Sequence, residues 1–210
     1  MLYYIDNIDR INTEAFLPYL SDERLAYQSR YRFEIDRKQS ILAFVLLRVG
    51  LLEEYGITTV PKLGKTERGK PYLIDHSEIY FNLSHCKKGV ACAISDHEIG
   101  VDIQDYVPFD EGIAKQFMTT QEIVLAKSDP TDCEFTRIWT LKESWGKRNG
   151  MGICYELTKT PAIEGVLADG AISKCTMLQD FAISVTASAE MKIIKLSEEN
   201  LLKKCQKLAV

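Results

Sequence analysis

From Asp36 to Tyr55 apolar residues fall on most faces of a 3.6-residue repeat, and the run stops at Gly56, a pattern that predicts a buried helix with a glycine end. Asp36 followed by Gln39 has the spacing of a capping box at its start. A more polar segment opening at Ser21 and carrying Arg24, Arg30 and Arg32 predicts an earlier helix. After Pro61 the period changes to short β-branched and aromatic runs, which predict strands over Pro71–Ile74, Ile79–Leu83, Val90–Ser95 and Ile99–Gln104. Helical signals return at Asp110, and Thr131 with Glu134 forms a second capping box ahead of a helix from Phe135 to Asn149, ended by Gly150. Strand-like runs follow at Ile153–Leu157, Ala171–Met177, Phe181–Ala187 and Lys192–Leu196. The run from Phe181 to Leu196 loosely echoes that from Val90 to Ile103, each reading as a hairpin with a charged turn, so both halves can share one plan.

Composition narrows the class. With 210 residues and 46% hydrophobic content the chain has the material for one large domain or two small ones in contact. The six cysteines show no CxxC pair and no zinc-ligand spacing, which reads as free thiols in a reducing compartment. Met1–Asp6 lacks the basic region of a secretory signal, and the apolar run Ile41–Leu47 is stopped by Arg48, so a cytoplasmic protein without a membrane span is expected. Net charge is −4, but Ser21–Lys70 carries ten Lys/Arg against seven Asp/Glu, a local excess that suits an anionic ligand as well as it suits a solvated helix face.

Four segments carry candidate chemistry. In Gly100-Val-Asp-Ile-Gln104 the strand alternation turns Asp102 and Gln104 to one face and Val101 and Ile103 to the core. In Trp139-Thr-Leu-Lys-Glu-Ser-Trp-Gly-Lys147 residues 139, 143 and 147 share one helical face, so Glu143 and Lys147 are neighbours; alone they read as an exposed ion pair worth a few tenths of a kcal/mol. Phe81-Asn-Leu-Ser-His-Cys86 sets Ser84 and His85 at a strand end. Arg68-Gly-Lys-Pro-Tyr72 is a turn in which Gly69 and Pro71 flank Lys70. Each has an ordinary structural reading by itself; their order gives them weight.

Taken in order, these segments resemble the signature of Sfp-like 4′-phosphopantetheinyl transferases, with Arg30–Arg37, Leu46–Arg48 and Phe117–Glu122 similar to further spaced elements of that family. The resemblance spans about Ser21 to Gly152. It implies an α+β fold of two similar α/β subdomains, 1–103 and 104–210, related by a pseudo-two-fold axis with a ligand cleft between them. It further implies transfer of phosphopantetheine from coenzyme A to a serine of an apo acyl or peptidyl carrier protein, by a monomer that engages neither nucleic acid nor membrane. Carried over, Asp102, Glu143 and Gln104 would ligate Mg²⁺, and Lys147, Ser84 and His85 would meet the phosphates. The Gly69-Lys70-Pro71 turn would lie beside the adenosine, and Ser40 and Arg37 at the 3′-phosphate. Glu143 would be the candidate for drawing off the serine proton, and Lys115 and Lys127 candidates for meeting an acidic carrier helix.

Three departures from the family pattern stand out: Gln104 where many members have Glu, Cys86 where Ser is often found, and Gln39 where relatives often carry a basic residue. The first keeps open the alternative of a coenzyme A-binding protein of the same fold with little or no turnover.

Overall fold

The computed structural model describes residues 1–131, 133–151 and 161–209. In chain order they form β1 (Leu2–Asp6), a 3-10 turn (Thr13–Tyr19), α1 (Asp22–Gln28), α2 (Glu34–Tyr55), β2 (Leu63–Lys65), β3 (Pro71–Leu73), β4 (Tyr80–His85), β5 (Gly89–Ser95) and β6 (Gly100–Asp105). Then follow α3 (Glu111–Phe117), α4 (Thr120–Ser128), α5 (Cys133–Arg148), β7 (Gly165–Val166), β8 (Ile172–Met177), β9 (Phe181–Ala187), β10 (Ile193–Lys195) and α6 (Glu198–Cys205). The strand expected at Ile153–Leu157 lies outside the described residues.

The layers follow from strand alternation. In the sheet of order β10-β1-β5-β4, Tyr3, Ile5, Val90, Cys92 and Ile94 turn toward α2, which is buried from Gln39 to Leu51 among the sheet, the 3-10 turn and α6. Leu2, Tyr4, Ala91 and Ala93 turn the other way and meet Val101, Ile103, Ile183 and Val185 of the second sheet, order β6-β9-β8-β7. The outer face of that second sheet is covered by α5. Two apolar layers therefore stack between α2 and the second sheet, while α5 is fastened largely by hydroxyls: Thr140 Oγ1 to Ser184 Oγ at 2.7 Å and Ser144 Oγ to Thr186 Oγ1 at 2.9 Å. The order β1-β5-β4 in one sheet and β6-β9-β8 in the other gives both halves the plan of strand, long helix and hairpin.

Several expectations change. The two echoing runs are not hairpins: β6 leaves β5 for the second sheet, and β10 leaves β9 to pair in parallel with β1. The capping box at Asp36 does not form; α2 starts at Glu34 without a side-chain cap, and Gln39 is buried, its amide donating to the Cys86 carbonyl at 2.8 Å. At α5 the Thr131 hydroxyl donates to Asp129 at 2.6 Å, and Asp129 itself accepts the Glu134 N–H at 2.7 Å. The stops are as expected, with Gly56 and Gly150 in the left-handed region. Arg48 is fully buried and donates to the carbonyls of Tyr19, Thr58 and Ala209 at 2.7, 2.7 and 2.6 Å, tying α2 to the chain after α6. Among the described residues no helix is long and apolar enough to cross a membrane.

Gly100 sets the distance between the second sheet and α5. A Cβ there would lie 2.0 Å from the Ser144 carbonyl oxygen and 2.3 Å from the Arg148 nitrogen, both helix backbone that cannot turn aside. Gly100→Ala is therefore expected to push α5 off β6 and cost about 3 kcal/mol or more in denaturant unfolding. A loss below about 0.5 kcal/mol would show that α5 can move without penalty.

Candidate functional site

The edge strands β4 and β6 come together without a backbone ladder. Asn82 Oδ1 accepts the Val101 N–H at 2.9 Å and Ser84 Oγ accepts the Ile103 N–H at 3.2 Å, so side chains of one sheet satisfy the edge of the other. Ser84 also donates to Asp102 Oδ1 at 2.9 Å, and Lys147 Nζ from α5 reaches Asp102 Oδ1 at 2.6 Å and Ser84 Oγ at 3.0 Å. One donor and two acceptor sites are all a hydroxyl has, so Ser84 is fully engaged within the protein. Asp102, Ser84 and Lys147 are thus one cluster, while Gln104, two residues along β6, is half-buried near its end.

Glu143 lies one turn before Lys147 and is buried. Burial, and then the Asp102 charge, push its carboxyl up to about 7, with Lys147 opposing the rise. His85 stands at the exposed end of β4, where the surrounding protein and the Lys147 ammonium hold its imidazole below the ordinary value; Asp36 and Asp102 pull the other way. Asp102 Oδ2 and Glu143 Oε1 are both buried without a hydrogen-bond partner. Two such oxygens fit a hard divalent cation, which takes one or two carboxylates and completes its shell with water and phosphate. Among the described residues no group of three or more His, Cys, Asp or Glu gathers to hold a metal, so a cation here would need the ligand's oxygens as well.

The remaining predicted residues spread around this cluster. Lys70 follows Gly69, whose φ of 84° makes the turn, and its ammonium donates to the Arg148 carbonyl at 2.8 Å, at the C-terminus of α5 where free carbonyls attract a cation. Burial lowers its pKa. A 390 Å³ cavity lies between this turn, Glu98 and Asn149–Gly150, spanning the two halves. A second, of 270 Å³, is lined by Arg24, Tyr27, Phe44, Lys65, Pro71 and Leu83, all from the first half. Neither includes Asp102 or Glu143, and the acids outweigh cavity shape as a guide to chemistry.

Ser40 is buried on α2, but the arginine that reaches it is Arg24, donating to its Oγ at 3.0 Å and its carbonyl at 3.2 Å. Arg24 also stacks on Tyr27 and Phe44, at 4.8 and 5.1 Å to the ring centroids. Arg37 is exposed. The sequence marks Arg24 only as a basic residue of the helix predicted from Ser21, with Arg37 the arginine expected beside Ser40. Lys115 and Lys127 both pair with Glu111, at 3.4 and 3.0 Å, so the basic patch expected there is partly neutralised.

With the geometry in place, comparison with known proteins is specific. Residues 98–190 match the model of the 4′-phosphopantetheinyl transferase superfamily. The chain is 33% identical over 161 residues to the 4′-phosphopantetheinyl transferase psf-1 of Bacillus pumilus, covering 75% of this chain and 69% of that protein. It is 29% identical over 160 residues to the 4′-phosphopantetheinyl transferase Sfp of Bacillus subtilis (strain 168), covering 73% and 71%. With the 4′-phosphopantetheinyl transferase HetI of Nostoc sp. it shares 33% identity over 156 residues, 68% of this chain and 66% of that one.

Folded Glu143 keeps its proton to about pH 7, whereas the ordinary value is 4.5, so folding takes up a proton between these values. The stability linked to the protonated carboxyl is complete below 4.5 and is lost as pH rises through about 7. Without divalent cations, Glu143→Gln is expected to weaken less than the parent over that window, by about 3 kcal/mol of relative stability on the alkaline side. Parallel melting curves against pH for the two proteins would place the carboxyl in its ordinary range.

Proposed function

The chain belongs to the 4′-phosphopantetheinyl transferase superfamily, and we propose that it moves the phosphopantetheine arm of coenzyme A to a carrier-protein serine by using Asp102 and Glu143 around Mg²⁺. The observation that carries this reading is the pair of buried carboxylate oxygens without partners, Asp102 Oδ2 and Glu143 Oε1, beside the Lys147 ammonium. In this reading the halves 1–103 and 104–210 divide the work: the first supplies Ser84 and His85, the second Glu143 and Lys147, with Asp102 at their junction.

Transfer forms a bond from the carrier serine oxygen to the phosphorus bearing pantetheine and breaks the bond to 3′,5′-ADP. When bound, Mg²⁺ neutralises the charge that collects on the diphosphate. Lys147 and His85 present cationic and N–H groups to the phosphate oxygens, and Ser84 keeps Asp102 and Lys147 in place through its three bonds. Glu143 is the group that takes up the serine proton. Arg24 with Ser40 receives the 3′-phosphate, and Gly69-Lys70-Pro71 borders the nucleoside. Gln104 contributes a neutral oxygen where a carboxylate would add charge.

Mass spectrometry of an apo carrier incubated with this chain, coenzyme A and Mg²⁺ is expected to show the added phosphopantetheine and released 3′,5′-ADP. Asp102→Ala and Glu143→Ala should each slow transfer by about 100-fold or more while circular dichroism keeps its parental form. Rates near the parent's in either variant would remove that residue from the reaction. Gln104→Glu should reach half-maximal rate at a lower Mg²⁺ concentration; an equal or higher requirement would exclude residue 104 from the cation's surroundings.

A further inference from the structure

One buried ion pair lies outside the reaction described above. Lys142 directly precedes Glu143, but its ammonium sits 2.9 Å from Glu122 Oε2, with the two side chains 1% and 11% exposed. Glu122 ends the Phe117–Glu122 element singled out in the sequence. Its carboxylate gathers three pieces of chain: Oε2 also accepts the Thr119 N–H at 2.7 Å at the start of α4, and Oε1 accepts the Ala162 N–H at 2.6 Å. The Thr119 hydroxyl completes the capping box by accepting the Glu122 N–H at 3.3 Å.

A helix cap does not require a buried ammonium. Removing both charges from water offsets much of their attraction, so such a pair is a weak source of stability, and its best use is to select one arrangement over others. What it selects here follows from helical geometry. Adjacent residues point about 100° apart around the axis, so a tie on residue 142 fixes where residue 143 points. The Gly100 contact with Ser144 and Arg148 backbone fixes how close α5 lies to β6. That contact and the hydroxyl bonds of Thr140 and Ser144 hold the side of the helix facing the sheet, and the charged contact of Lys142, about 160° around the axis from both, adds a tie on another side.

We propose that Lys142 and Glu122 are positioning residues for transfer: their ion pair sets the rotation of α5 that turns Glu143 and Lys147 toward Asp102. The inference rests on the roles given to those three residues.

The test uses the full chain with apo carrier, coenzyme A and Mg²⁺, assayed well below the melting temperature of each protein. Lys142→Met and Glu122→Gln are each expected to lower kcat by about 10-fold or more, since small misplacement of catalytic groups has large kinetic effects. The KM for coenzyme A should stay within about threefold, because the nucleotide is gripped from the other half, and the Mg²⁺ concentration for half-maximal rate should rise. The double variant should be little slower than either single one, because the two groups act as a unit. Melting temperatures that fall while kcat and the Mg²⁺ requirement stay within about twofold of the parent would overturn the positioning role. If one single variant does not fold, the other and the double variant are judged by the same criterion; failure of all three to fold would make the pair a requirement of the fold and overturn the proposal. The parent assayed alongside separates the two levels: a parent that transfers nothing sinks the assigned reaction, whereas an active parent with unimpaired variants sinks the positioning role alone.

Discussion

The seam between β4 and β6 is the constraint on which the site depends. Two edge strands with exposed N–H groups must be paired, covered or twisted away. Here Asn82 and Ser84 supply side-chain oxygens in place of a ladder, joining the sheets while leaving the strands free to diverge. Because Ser84 spends its donor on Asp102 and its remaining acceptor on Lys147, the atom that closes the seam also fixes the first acid of the site. One hydroxyl serves both the seam and the Asp102–Lys147 cluster.

Around that atom the electrostatics divide the two acids. Asp102 Oδ1 has a close ammonium and a hydroxyl donor, from Lys147 and Ser84. Glu143 has burial and the Asp102 charge against it, so near neutral pH it is divided between its two forms. One acid is thus tied to two partners, and the other is able to take up a proton. The candidate cations come from separate elements, Arg24 from α1, Lys70 from the β2–β3 turn and Lys147 from α5, in a chain whose net charge is −4.

Gln39 and Cys86, two of the departures from the family pattern, prove to be neighbours, joined by the Gln39 amide and the Cys86 carbonyl. Their contact ties α2 to the end of β4 next to His85. Two departures that look separate along the chain thus meet at one point of the fold.

The chain's local periods were enough to place α2, β5, β9 and α5, and to put Asp102 on the face opposite Val101 and Ile103, because alternation and the four-residue helical step are properties of neighbouring residues. The ordered motifs likewise gave the family without any coordinates. What local pattern cannot carry is the choice of partner. The runs that read as hairpins send β6 and β10 to opposite sheets, since pairing is decided by which buried face each strand completes. Capping at Asp36 gave way to the tertiary contact of Gln39 with Cys86, local pattern did not mark the strand β1 or the helix α6, and Arg24 was indistinguishable from other basic residues until Ser40 and two aromatic rings surrounded it. The sequence determined which side chains share a face; only packing determined which faces meet, because the energy of burying them comes from residues far away in the chain.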